Sequence, residues 1–162
     1  MITVAGDVMR KHTKRRHYAT GYMLLPSQRD AIILPVHIAL DAIETGHGEI
    51  THRHTIAALL NIADVCAKRM VGVAEETLEM IVQAKEAMVS VEKRYLRTGK
   101  WGFSGEEMID IRAAITVSDE LLRRVNSAVL SSAVDYVRHY NDKMPHKLGS
   151  LSEPLGDKKA FG

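Results

Sequence analysis

The spacing of apolar residues predicts α-helices over most of the chain. Between residues 27 and 142 they recur at steps of three and four, as one helical face requires. The first helix is expected to run from Ser27, as its N-cap, to about Thr45. Pro35 inside it predicts a kink or a shorter helix, and a buried strand over residues 32–40 is the alternative. The apolar face comprises Ile32, Ile33, Val36, Ala39, Leu40 and Ile43.

Two longer helices are predicted next. The second is expected from about Thr51 to Met70 and the third from about Ala74 to Arg97. The third helix is apolar around more than half of its circumference, because four apolar residues lie outside its main face: Met80, Val82, Ala87 and Val89. Such a helix is expected at the centre of a bundle or in the interface of a homodimer.

The last part of the pattern predicts one or two helices and a tail. Ser104 and Glu107 have the spacing of a capping box, which predicts a helix start. Asn126 and Ser127 are expected to break this helix, and the chain from Met144 is rich in Pro, Gly and Ser. The prediction is an all-α bundle of four to five helices over residues 27–143, between a basic N-terminal arm (1–26) and an irregular C-terminal tail (144–162).

Composition supports the helical interpretation. Aromatic residues make up 5% of the chain, so aliphatic residues, alanine and eight methionines must form the core. The single cysteine excludes an intramolecular disulfide. No apolar run approaches the roughly 18 residues of a membrane span, and the first residues lack the apolar segment of a secretory signal. We therefore expect a cytoplasmic protein that has no membrane contact.

Charge is concentrated in the arm. Residues 1–17 carry five Lys/Arg and one Asp, 5 − 1 = +4, so the remainder of the +2 chain sums to −2. These cations can bind phosphates or an acidic partner, and the tyrosine can stack on a base. A solubilising tail is the alternative. The candidate binding residues are Arg10, Lys11, Lys14, Arg15, Arg16 and Tyr18.

A histidine-rich segment is the candidate metal site. It contains His47, Glu49, His52 and His54, all possible zinc ligands. Residues two apart point to different sides of a helix, whereas helical zinc ligands lie four apart, so we expect an inter-helix loop and no metal or other cofactor. Cys66 lies on an apolar face and is expected to be a buried thiol without catalytic function.

The stretch GKWGFSG at residues 99–105 separates the third and fourth helices. Its glycines are typical of a phosphate-binding loop, but the spacing of the P-loop is absent. We expect a tight turn that Trp101 or Phe103 fixes to the bundle. The carboxylates Glu106, Glu107 and Asp110 are expected to complement the helix dipole.

Two stretches carry a family resemblance. The arm RKHTKRRHY (10–18) and the segment KRYLRTGKWGFSGEEM (93–108) resemble small uncharacterised helical proteins of bacterial phages and prophages, with an RKxKRRHY arm and an RYxRTGxxGxTG segment. The resemblance implies a phage setting, and hence a bacterial host cell, and no particular catalytic residue.

The resulting hypothesis is a non-enzymatic phage-type protein that binds a host or phage protein complex, for example as an anti-defence (anti-CRISPR) inhibitor. This step is by analogy with small phage proteins. One alternative is a DNA-binding regulator, with the arm on phosphates and a recognition helix that carries His52, Arg53 and His54. A small enzyme without a recognisable motif is the other alternative.

Overall fold

The computed structural model describes residues 21–143, which form five α-helices. The helices are α1 (Pro26–Glu44), α2 (Ile50–Arg69), α3 (Glu75–Thr98), α4 (Gly105–Arg124) and α5 (Ser127–Lys143). This confirms the predicted all-α bundle, including the break near Asn126 and Ser127. The basic arm residues and the tail lie outside the described residues. None of the described helices is long and apolar enough to cross a membrane.

The first helix begins differently from the prediction. Leu25, and not Ser27, is the N-cap, and Pro26 is the first helical residue, because a proline fits the first turn, where its missing N–H would have had no partner. The backbone N–H of Leu25 donates to Oε1 of Gln28 at 2.9 Å. The alternative strand is wrong: Pro35 lies within the helix, and its ring is on the exposed side.

Helix α2, and not α3, is the centre of the bundle. It packs against α1, α3, α4 and α5, whereas α3 packs against α2 and α4 only. Its apolar residues include Ile56 and Leu60, which are completely buried. Of the two alternatives expected for α3, the central position is therefore wrong, and two of its extra apolar residues, Met80 and Val82, are exposed.

The segment before α1 is held against the connection between α4 and α5. Ser127 donates its backbone N–H to the Tyr22 carbonyl at 2.8 Å, and its hydroxyl accepts from the Tyr22 N–H at 3.1 Å. A β-bridge joins Met23 to Asn126, and Oδ1 of Asn126 accepts from the N–H of Val129 at 2.9 Å. The chain thus approaches α1 from the start of α5.

Candidate interaction surface

The stretch that carries the family resemblance forms a tight turn between α3 and α4. Helix α3 ends at Gly99, whose positive φ of 70° suits a residue without a side chain, and whose N–H donates to the Tyr95 carbonyl at 2.7 Å. Trp101 is buried and its ring stacks on Tyr95 at a centroid distance of 4.1 Å. This confirms that Trp101 fixes the turn.

A hydrogen-bonded clamp closes the same turn. Arg94 donates to both carboxylate oxygens of Glu107 at 2.8 and 2.7 Å, and to the Gly102 carbonyl at 2.8 Å. Glu107 also accepts from the Ser104 N–H at 2.7 Å, and its own N–H donates to the Ser104 hydroxyl at 3.3 Å. The predicted capping box is confirmed. The family-like segment therefore has a structural function, because its residues stabilise the α3–α4 turn: Arg94, Tyr95, Gly99 and Ser104.

The clamp changes the acidity of Glu107. Burial alone would raise its pKa, but the hydrogen bonds from Arg94 and Ser104 and the charge of Arg94 outweigh that effect and lower the pKa. The pKa of Arg94 is raised, mainly by its hydrogen bond to Glu107. The carboxylate therefore serves an ion pair, in addition to the dipole role expected for it.

The histidine-rich segment spans the α1–α2 connection, which contains His47 and Glu49, and the start of α2, which contains His52 and His54. Nδ1 of His52 accepts the Glu49 N–H at 3.0 Å, which satisfies one of the free donors at the helix start. Partial burial and the charge of Arg53 lower the pKa of His54, against the opposing effect of Glu92. Among residues 21–143, no three His, Cys, Asp or Glu side chains are grouped so that they could hold a metal.

The proposed recognition helix does not present its arginine. Arg53 is buried, and its Nη2 lies 2.6 Å from Oε2 of Glu92, which is also buried. It cannot reach a base edge without breaking this pair. Arg53 is therefore not placed to read DNA in this structure. The sequence pattern could not show this, because it does not reveal that Glu92 of α3 is the partner of Arg53.

Arg53 belongs to a polar seam between α2 and α3, which sequence analysis missed. Eleven residues further along α2, Oδ2 of the buried Asp64 lies 3.1 Å from Lys85 Nζ and 3.0 Å from Lys68 Nζ. Five buried side-chain atoms have no hydrogen-bond partner among the described residues: Arg29 Nε on α1, and Arg53 Nε, Asn61 Oδ1, Asp64 Oδ1 and Glu92 Oε1 on α2 and α3. Buried polar atoms of this kind ordinarily bond to ordered water.

Cys66 is buried, as predicted. Burial raises the pKa of its thiol to about 11, against a weak opposing effect of Arg69. A thiol of that acidity is almost wholly protonated at neutral pH, so it is a poor nucleophile.

Helix α1 carries an exposed apolar stripe, which sequence analysis also missed. Leu34 and Ile38 are 60% and 57% exposed, although the same helix buries Ile33, Val36 and Ile43. They lie one turn apart on the outer side, and Ala31 and Pro35 are exposed beside them. The signal in the sequence was the presence of two apolar residues, four apart, outside the predicted core face.

Carboxylates border the α1 stripe on one side. Asp30 and Asp41 lie within one helical turn of Leu34 and Ile38, respectively, and both are exposed. Glu44 lies on the same side and pairs with Arg112 of α4 at 2.6 Å. Asp30 pairs with Arg29 at 3.6 Å, so Asp41 is the carboxylate beside the α1 stripe for which no ion pair is seen among residues 21–143.

Comparison of the chain with models of protein families, with curated proteins and with solved structures gives no match. The phage resemblance therefore stays a prediction based on the two stretches that suggest it.

Proposed function

We propose that this chain is a non-enzymatic interaction protein that binds a host or phage protein complex through the α1 stripe and the basic arm. The α1 stripe is the observation that carries the proposal. Its two large apolar side chains contribute little to the core, and three further exposed apolar residues, Tyr22, Met23 and Leu25, directly precede the helix. Clustered exposed apolar residues mark interaction sites more often than isolated ones do.

The charge distribution supports the same proposal. Residues 21–143 carry 14 Lys/Arg and 17 Asp/Glu, a sum of −3, whereas residues 1–17 carry +4. A partner that presents an apolar surface beside cationic groups would complement the α1 stripe. The arm would add contact to an acidic or phosphate-bearing region of the same partner, since complementary charges favour association. The setting in which this binding takes place is the bacterial cytoplasm.

The test compares capture of partners by three forms of the tagged protein from bacterial lysate. The first is the wild type, and the second is Leu34→Asp/Ile38→Asp, which places two charges on the α1 stripe. The third is Val71→Asp, which changes an apolar residue that is 96% exposed in the α2–α3 connection. We expect the α1 variant to lose at least about tenfold in affinity, since central apolar contacts contribute more than 1 kcal/mol each.

The Val71→Asp variant is expected to bind like the wild type. Circular dichroism should show that all three forms are folded, because the substituted side chains are exposed. Equal capture by all three folded forms would show that the α1 stripe does not bind the partner.

DNA binding through the arm is the second candidate function. The segregation of +4 on residues 1–17 from −3 on residues 21–143 favours it. Affinity for duplex DNA that falls steeply with salt would support it, because binding to phosphates releases counterions. With Arg53 buried, such binding would be largely independent of sequence.

A further inference from the structure

The outer face of α3 carries charges of opposite sign in its two halves. Four exposed carboxylates lie in the N-terminal half of the helix. Two exposed cations lie in its C-terminal half, and a third follows two residues after its end. The carboxylates are Glu75, Glu76, Glu79 and Glu86; the cations are Lys93, Arg97 and Lys100. We call these seven residues the α3 charge row.

The α3 charge row has no ion-pair partner among residues 21–143. The ion pairs of the bundle involve other side chains. Spacing within the row is unfavourable, because Glu75 and Glu79 lie four residues apart, as do Lys93 and Arg97. Like charges at this spacing repel each other on a helix surface.

The helix dipole explains only the ends of the α3 charge row. Glu75 and Glu76 lie in the first turn and Arg97 in the last, where such charges are favourable. The effect is confined to the terminal turns, so it does not account for Glu86 or Lys93. Their arrangement calls for a second explanation.

Apolar residues follow the α3 charge row along one side. Val82 is 43% exposed and Leu96 is 64% exposed, and Val89 lies midway between them and is partly buried. The three residues are spaced by seven, which is the repeat that forms a seam between two helices. Only one position in seven is apolar here, whereas a coiled coil has two, so the charges of the row must contribute to any helix pairing along this seam.

We propose that α3 pairs with α3 of a second copy of this chain, antiparallel and about a two-fold axis near Val89. The axis places Val82 of one copy against Leu96 of the other. The rows of the two copies then lie on the same side of the seam. Glu79 of each copy faces the Arg97 and Lys100 end of the other, and Glu86 faces Lys93.

The charge row also excludes the parallel arrangement. Parallel pairing would bring carboxylates against carboxylates and cations against cations, which is unfavourable. Only the antiparallel two-fold pairing makes each half of the row meet its opposite, and such self-complementarity is what a two-fold interface requires.

The expected dimer is weak. A helix of 24 residues is about 36 Å long and offers fewer side chains than the roughly 20–30 per partner of a standard interface. The dimer should therefore form at high protein concentration, and added salt should weaken it, because exposed ion pairs are screened. This inference does not depend on the proposed partner or on the α1 stripe.

The test is sedimentation velocity on the full chain from low micromolar to millimolar concentration. The 18.0 kDa wild type is expected to shift towards twice its mass as its concentration rises. The variant Glu79→Lys/Glu86→Lys has cations at all four of positions 79, 86, 93 and 97. The variant Lys93→Glu/Arg97→Glu has carboxylates at the same four positions. Each variant alone should stay monomeric, and an equimolar mixture of the two should dimerise again.

Matched controls are available on α5, which carries exposed charges outside the proposed interface. Asp135→Lys/Asp142→Lys and Arg138→Glu/Lys143→Glu change charge by the same amounts, and both are expected to dimerise like the wild type. A wild type that stays monomeric at every concentration would overturn the proposal. So would a mixture of the two α3 variants that, with both folded by circular dichroism, shows no dimer.

Discussion

At the scale of single residues, the α3–α4 turn depends on one arginine and one glutamate. The Glu107 carboxylate joins Arg94 on α3 to the first turn of α4, and it accepts three hydrogen bonds. Sequence analysis found the capping box, because Ser104 and Glu107 are close in the chain. It missed Arg94, because Arg94 lies thirteen residues before Glu107 and no known motif links residues at that spacing.

The acidity of Glu107 predicts how stability depends on pH. Its pKa is lower in the folded chain than the ordinary value of 4.5, so its ionised form stabilises the fold. This contribution is present above the ordinary pKa and is lost as the pH falls through the lower, folded one. Glu107→Gln should reduce the free energy of unfolding at neutral pH by about 1–2 kcal/mol.

Urea denaturation at several pH values measures this effect. The wild type should lose more stability than Glu107→Gln when the pH is lowered from about 6 to about 3. Parallel losses in the two proteins would show that Glu107 is not a stabilising carboxylate.

The buried pair of Arg53 and Glu92 predicts non-additive substitutions. Glu92→Ala leaves Arg53 buried without a counter-charge and should destabilise the fold by about 3–5 kcal/mol. Arg53→Met/Glu92→Leu replaces both charges with apolar groups of similar size and should cost far less. Denaturant unfolding of both variants decides the matter, and a double variant as unstable as Glu92→Ala would contradict this account of the pair.

At the scale of elements, the sequence predicted where the helices lie along the chain but not which helices pack against each other. Apolar periodicity and glycines located both ends of α1, α2 and α3 within about two residues, the capping box located the start of α4, and Asn126 and Ser127 marked the break before α5. The central position of α2 was not predictable, because several of its buried residues are polar. From the sequence, such polar residues are expected at the surface: Arg53, Asn61 and Asp64. In the structure all three are buried, and α3 supplies the partners of Arg53 and Asp64.

The polar seam fixes how α2 and α3 align. Arg53 pairs with Glu92 and Asp64 with Lys85, in reverse order along the two antiparallel helices. A shift of seven residues in one direction would oppose Arg53 to Lys85, and in the other would oppose Asp64 to Glu92. Either shift buries like charges together, so the seam selects one register.

A close approach between two connections predicts a glycine requirement. A Cβ on Gly48, in the α1–α2 connection, would lie 2.8 Å from Trp101 Cβ and 2.9 Å from Ile43 Cγ1. Gly48→Ala should therefore destabilise the bundle by about 1–3 kcal/mol through overpacking. Gly102→Ala is the control, since a Cβ there meets nothing within 4 Å. Thermal unfolding of both variants checks this, and equal midpoints would contradict the packing of Trp101 against Gly48.

At the scale of the whole molecule, charge and apolar surface are unevenly placed. The cations of residues 1–17 precede a net acidic bundle, and exposed apolar residues lie on the outer sides of α1 and α3. The arm could be recognised from the sequence because its charges are contiguous. The α1 stripe also left a signal, because Leu34 and Ile38 lie outside the predicted core face, but the structure was needed to show that no other helix covers them.

The central claim is that the chain acts by binding a protein complex. Its most direct test is capture from bacterial lysate with and without nuclease, using the wild type and a variant with alanine at Arg10, Lys11, Lys14, Arg15 and Arg16. The account predicts that the wild type recovers one protein complex under both conditions, and that the arm variant, with an unchanged circular dichroism spectrum, recovers less of it. Recovery that disappears with nuclease would contradict the claim and identify nucleic acid as the ligand of the arm.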